Sequence, residues 1–260
     1  MSSAATDRSD KETIMLQDLH THTCFCDGDD TPEEMVLSAI EKGLDRIGIC
    51  THCYTDFDET YCIPHEKYGE FQAEIARLKE KYGDKIEVLC GVEQDVNSKS
   101  ETDGFDYVIG SNHYIPVEDD LAPIDSLEEF FLYVVSEFYG GDYIAAAGSY
   151  YKSVATIAEK TNCDIIGHFD LITKYNEGGR LFDVTDPRYI AAWKAAADEL
   201  LKSGKPFEIN TGAISRGCRT EPYPAEDIRK YLAENGAKFI LSSDAHSAKN
   251  IAYDFEKYEI

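Results

Sequence analysis

The stretch DLHTHT, Asp18–Thr23, sets two histidines one residue apart at the end of an apolar run, Ile14–Leu19. Residues two apart on a strand point to the same face, so His20 and His22 can reach one point in space together. A shared metal ion is the usual reason for that. Two solvent-facing imidazoles at a strand end are the plainer alternative, and His-x-His is too short a pattern to decide alone.

The chain that follows decides it. Asp27-Gly28 is a turn signal, and Thr31, Pro32 and Glu34 form a helix start, with Gly43 as stop after about Lys42. A second apolar run, Arg46–Cys50, leads to His52, and a polar, aromatic loop, Tyr54–Pro64, reads as a rim or lid. His65–Tyr82 has helical spacing. Further apolar runs then end in chemistry-bearing residues. Ile86–Val92 leads to Glu93 and Asp95, and Tyr107–Gly110 to His113. Asp164–Gly167 leads to His168 and Asp170, Pro206–Ile209 carries Glu208 and Asn210, and Lys238–Leu241 leads to Asp244 and His246. Between them the pattern predicts helices from Ser126 (capping box with Glu129) to Gly140, over Tyr143–Lys160, from Asp186-Pro187 to Lys202, and over Pro224–Glu234.

Strand and helix alternate about seven times with short links, which predicts a parallel sheet with crossover helices. The strands are many and evenly spaced, which favours closure into an α/β barrel with its site at the C-terminal strand ends. Six of the seven histidines fall at those ends, and only His65 lies elsewhere. Any one of them can be a satisfied core or surface residue; random placement does not produce the set. We expect a tail at residues 1–12 and one barrel domain over 13–260.

The chain of 260 residues carries 50 acidic and 25 basic side chains, a net charge of -25. Such a surface repels nucleic acid and anionic membrane, so neither is an expected partner, whereas bound divalent ions can reverse the field locally for a small anionic substrate. No apolar stretch approaches the about 20 residues of a membrane span, and residues 1–11 lack an apolar signal core, so the expected location is the cytoplasm. The eight cysteines, including Cys24/Cys26 and Cys50/Cys53, are expected as free thiols, because a zinc ribbon needs a second Cys-x-x-Cys pair and none is present.

Neutral imidazoles together with carboxylates suit Zn, Mn or Fe. The donors outnumber what one ion can use, which implies two or three divalent metals bridged by a carboxylate. Clustered metals activate water and clamp the oxygens of a phosphoryl displacement. The expected reaction is hydrolysis of a small phosphate ester or, second, an amide.

This ordered series resembles the PHP (polymerase and histidinol phosphatase) superfamily from Asp18 to about Asn250. The carriers are His-x-His-Thr with CDG and TPEE, then YYKSVATIAEKTNCDIIGHFDLITKYN, and FEINTGAISRG with the later SSDAH. These segments are most similar to the histidinol-phosphate phosphatases. The resemblance implies a distorted (β/α)7 TIM-like barrel. It implies one metal on His20, His22, Glu93 and Asp244, a second on Glu93, His113 and His168, and a third on Asp27, His52 and His246. Two departures touch the third metal. Cys50-Thr51-His52 stands where the family reads Thr-Asp-His, and Gly28 stands where some members carry a ligand, leaving Asp27 or Asp29 to serve.

The implied mechanism is attack on phosphorus by a hydroxide bridging the first two metals, with Glu93 and Asp244 as catalytic ligands. His246 or metal-bound water would protonate the leaving group. Lys174 and Arg216 resemble phosphate-binding positions, with Arg180 and Arg219 as alternates. The expected activity is hydrolysis of L-histidinol phosphate in histidine biosynthesis. The competing expectations are another small phosphate ester, such as a nucleotide or sugar phosphate, and a non-catalytic metal-binding barrel.

Overall fold

The computed structural model describes residues 15–258, so the expected tail at 1–12 lies outside the described residues. Strands β1 (Gln17–Asp18), β2 (Arg46–His52), β3 (Glu87–Asp95) and β4 (Tyr107–Ser111) pair in sequence order, all parallel. An antiparallel hairpin, β5 (Tyr114–Val117) and β6 (Asp120–Pro123), interrupts them. The sheet resumes with β7 (Ile165–Ile166), β8 (Phe207–Asn210) and β9 (Phe239–Ser242), again parallel. The seam closes beyond the strand ends: Thr21 bridges Ala245 in parallel, and His22 N–H donates to Ala245 O at 2.8 Å. The result is the seven-stranded α/β barrel expected from the sequence.

The interior is apolar and small. Leu19, Cys50, Tyr107, Ile109, Ile165 and Ile240 form its plug, and the Tyr107 hydroxyl crosses it to donate to Leu19 O. Gly48 makes room for that ring, since a Cβ there would lie 2.0 Å from the Tyr107 oxygen. Larger apolar layers lie between sheet and helices, with Phe71, Ile75 and Leu78 of α2 (Tyr68–Tyr82) in one and Tyr150, Tyr151 and Val154 of α4 (Tyr143–Val154) in the other.

Helix α1 (Pro32–Glu41) starts as predicted, with Thr31 and Glu34 exchanging capping bonds. Helix α6 (Pro187–Leu201) starts at the Asp186 cap. Three expectations are corrected, and one element is new. The hairpin was not anticipated. The helix expected from Ser126 begins at Glu128 as α3 (Glu128–Tyr139) behind an uncapped Leu127, because Tyr175 and Lys174 bond the carbonyls of Ser126 and Asp125 and hold those residues elsewhere. The helix expected over Tyr143–Lys160 breaks into α4 and α5 (Ile157–Thr161), where the Thr156 hydroxyl and N–H both turn back to Ser153 O. The last helix, α8 (Glu226–Glu234), starts beyond Pro224, because Ala225 N–H is tied to Asp170 at 3.1 Å. A one-turn helix, α7 (Gly212–Ser215), follows β8.

Candidate metal centre

Each strand end delivers its side chain to the same mouth of the barrel. Glu93, buried at the end of β3, is the centre of the arrangement. Its Oε1 lies 2.7 Å from His168 Nε2 and 3.2 Å from His113 Nε2. Its Oε2 lies 2.8 Å from His52 Nδ1, 3.3 Å from His20 Nε2 and 3.4 Å from His22 Nε2. Asp244 adds an oxygen 3.7 Å from His20 Nε2 and 3.5 Å from His22 Nε2. Asp27 lies 3.4 Å from His52 Nε2 and 3.3 Å from His246 Nε2. Three groups of donors converge closely enough for an ion: His20, His22 and Asp244; His52, Glu93 and His113; and His22, Asp27, His52 and His246.

His52 thus straddles two of the groups, because its Nδ1 faces Glu93 and its Nε2 faces Asp27. Its ring stacks on His22 at 4.1 Å. His168 reaches the set through Glu93. Asp29 is exposed and belongs to none of the three groups. Position 28 has no space for a side chain: a Cβ on Gly28 would sit 2.6 Å from the backbone of His22 and Thr23.

The donors fit a metal on evidence internal to the site. His20 Nε2, His22 Nε2 and Glu93 Oε2 are buried, converge, and have no hydrogen-bond partner. Buried polar atoms are nearly always satisfied, and a cation would satisfy all three at once. The charge balance agrees. Burial would raise the Glu93 carboxyl, but His20, His52 and His113 hold it well below the usual range. Asp244 is likewise held down, against burial, by Arg216, His20 and His246. Without metal the neutralising charge is protonic. His113 is raised to about 10, where Glu93 and Asp95 outweigh burial, and His20 and His52 are raised by their carboxylates in the same way. His22, by contrast, is pushed down to about 3 by burial and by His52 and His246.

Two carboxylates orient the rings and were not assigned from sequence. Glu208 Oε1 accepts from His20 Nδ1 at 2.7 Å, and its Oε2 accepts from His168 N–H at 3.0 Å. Asp95 Oδ2 accepts from His113 N–H at 2.8 Å and faces its Nδ1 at 3.1 Å. The available signal was period-two spacing: Asp95 shares a strand face with Glu93, and Glu208 stands at a strand end. Asp18, also unassigned, accepts from Ser243 and from Ala252 N–H across the seam. That anchor precedes Asp244, which adopts the left-handed φ of 48°. Backbone held in this sparsely populated region concentrates at functional sites.

Of the candidate cations, Lys174 and Arg216 line the cavity of about 310 Å³ above the centre, with Asp58, Thr60 and Tyr61 of the predicted rim. Arg216 bonds Asp244 Oδ2 at 3.0 Å and approaches His246 Nδ1 at 3.1 Å. Arg219 is turned away, in a separate cavity, toward Asp170 and Glu177. Arg180 pairs with Glu128 on the surface. All eight cysteines are free thiols.

Residues 18–212 match the PHP domain. The chain belongs to the PHP domain family. It is 30% identical over 256 residues to a Deinococcus radiodurans protein named "Probable histidinol-phosphatase", covering 92% of this chain and 90% of that one. The fold matches that of a Listeria monocytogenes chain assigned as a histidinol phosphatase, with TM-score 0.82 and 22% identity over 94% of this chain and all of that one. It also matches histidinol phosphate phosphatase from Lactococcus lactis, crystallised with zinc, L-histidinol and phosphate, with TM-score 0.65 and 23% identity over 90% of this chain and 87% of the other. Among the described residues of this PHP chain, no helix is long and apolar enough to cross a membrane.

Proposed function

We propose that the chain is a metal-dependent phosphomonoesterase that hydrolyses L-histidinol phosphate to L-histidinol and phosphate, acting in the cytoplasm through one barrel domain spanning residues 13–260. The observation that carries the chemistry is the position of Glu93, with one oxygen facing His113 and His168 and the other facing His20, His22 and His52. A carboxylate so placed would serve both sets of imidazoles in holding divalent cations. The substrate follows from the Deinococcus relative, which is similar over nearly the full length of both chains.

His20, His22, Glu93 and Asp244 would hold one ion, Glu93, His113 and His168 a second, and Asp27, His52 and His246 a third. When bound, divalent ions supply Lewis acidity, which ionises water near neutral pH and neutralises phosphoryl oxygens. The chain's own groups do the rest. Lys174 and Arg216 receive the phosphate oxygens from the cavity wall, and Asp244 holds the Arg216 guanidinium in place. With the third ion absent, His246, beside Arg216 and Asp27, stands where it can pass a proton to the leaving alkoxide; with that ion held, its ring nitrogen is occupied and water supplies the proton.

The test is phosphate release by protein loaded with zinc or manganese, assayed on L-histidinol phosphate against nucleotide and sugar phosphates. A kcat/KM for histidinol phosphate in the ~10⁴–10⁸ M⁻¹s⁻¹ range and well above the panel is expected. Weak, even activity over the panel would refute the substrate, and none on any ester would refute the chemistry.

A further inference from the structure

The carboxylates lining the active cavity fall into two sets. Three of its five carboxylates, Asp27, Glu93 and Asp244, face imidazoles or Arg216. The other two, Asp58 and Asp125, take no part in that set. Asp125 is partly compensated by Lys174, whose ammonium lies 4.0 Å from its carboxylate. Asp58 is held by neutral donors: Thr60 N–H at 3.1 Å, the Thr60 hydroxyl at 2.6 Å and the Tyr114 hydroxyl at 3.0 Å. These bonds fix the carboxylate without cancelling its charge, and the half-buried site screens it less than open water does.

An aromatic step joins Asp58 to the metal ligands. The Tyr61 ring packs edge-on against His52 at 4.9 Å and lies 6.2 Å from His113, three residues along the same loop from Asp58. Tyr114, which donates to Asp58, is buried and braced by Phe57 at 5.0 Å. The same cavity therefore holds, beside the imidazole cluster and Arg216, an aromatic wall ending in a carboxylate with no ion pair among the described residues. Such a wall attracts a cation through both charge and ring face.

We infer that Asp58, flanked by Tyr61 and Tyr114, is the specificity determinant that selects phosphomonoesters carrying an ammonium or imidazolium at the end remote from phosphorus. The inference rests on the reading of this cavity as a phosphomonoesterase site. It explains discrimination against nucleoside di- and triphosphates, whose extra negative charge Asp58 repels, and against sugar phosphates, which gain nothing from it.

The experiment compares kcat/KM of the metal-loaded full chain on two cationic esters, L-histidinol phosphate and phosphoethanolamine, and two neutral-ended ones, glycerol phosphate and p-nitrophenyl phosphate. Asp58→Asn keeps the size and an acceptor for Thr60. The cationic-to-neutral ratio is expected to fall tenfold or more in Asp58→Asn, mainly through KM, and less in Asp125→Asn. Asp58→Glu should restore part of it. An equal loss on all four esters, as a merely structural role gives, overturns the inference, as does a ratio within twofold of wild type. If wild type favours phosphoethanolamine but not histidinol phosphate, and Asp58→Asn abolishes the preference, the inference stands and the proposed substrate fails. If no ester is hydrolysed, calorimetric binding of L-histidinol decides: tenfold weakening in Asp58→Asn supports the inference and equal affinity refutes it. Should Asp58→Asn fail to fold, the wild-type ratio must drop between 0.05 and 0.5 M salt, and a salt-independent ratio refutes the charge role.

Discussion

Glu208→Gln tests how the centre is held together. Glu208 serves two donors with two oxygens, the His20 ring Nδ1–H at 2.7 Å and the His168 backbone N–H at 3.0 Å, and Asn210 Nδ2 adds a third bond at 3.2 Å. Glutamine has the same shape but a single acceptor oxygen. If that oxygen faces His20, the amide NH2 meets the His168 N–H, and a buried donor loses its partner. If it faces His168, the NH2 meets His20 Nδ1 and forces the other tautomer. Nε2 then carries the proton and has no lone pair for a metal. Either way at least one interaction made by buried groups is lost. Removing such an orienting partner typically costs 10–100-fold in metal affinity or activity, or about 1.4–2.8 kcal/mol. Competition against a chromophoric chelator should show that weakening for the tightest metal, and kcat/KM at limiting metal should fall in parallel. Excess metal should restore much of the activity, since the catalytic groups remain. A Glu208→Gln protein that folds and binds metal within twofold of wild type would refute the claim that Glu208 sets the His20 tautomer.

Metal-free protein should be most stable near pH 6.5. His22, lowered to about 3, stays neutral in the fold while its unfolded counterpart takes a proton below about 6.5, so stability falls as pH falls through that window. His113, raised to about 10, and the raised His20 and His52 keep protons that the unfolded chain loses above about 6.5, so stability falls again as pH rises. Urea midpoints in chelator at pH 5, 6.5 and 8.5 check this, and a steady rise from 6.5 to 8.5 would contradict it; added metal should reverse the upper limb, because it binds neutral imidazoles. Gly28→Ala should cost about 1–3 kcal/mol through its clash with the His22 backbone, a Tm roughly 2–12 °C lower by calorimetry. Lys174→Ala should raise KM about tenfold or more with metal affinity unchanged, whereas Arg216→Ala should weaken metal binding as well, since Arg216 grips Asp244. Equal metal affinity in the two variants would sink that division.

The barrel and the gathering of the strand-end donors were legible because both depend on local periodicity. Apolar runs of strand length, alternating with helix starts such as Thr31-Pro32 and Asp186-Pro187, dictate crossover connections, and a parallel barrel collects its strand ends at one mouth. That is why His20, His22, His52, Glu93, His113, His168, Asp244 and His246 could be named together. The hairpin β5–β6 was missed because its strands are short and Pro116 and Pro123 weaken the strand signal. Ser126-x-x-Glu129 misled because tertiary bonds from Lys174 and Tyr175 outweigh a cap worth about 1 kcal/mol.

The sequence by itself determined which residue types arrive at the barrel mouth and in what order. Only the tertiary structure decided what each one faces there. That Glu93 divides its oxygens between two sets of imidazoles, that Glu208 orients His20 from 188 residues away, and that Arg216 reaches the cavity while Arg219 turns to Asp170 are matters of a few ångströms. Such distances are set by how strands register and loops pack across the closed sheet. Neighbours along the chain do not encode them, because the partners come from different strand ends and meet only in the assembled sheet.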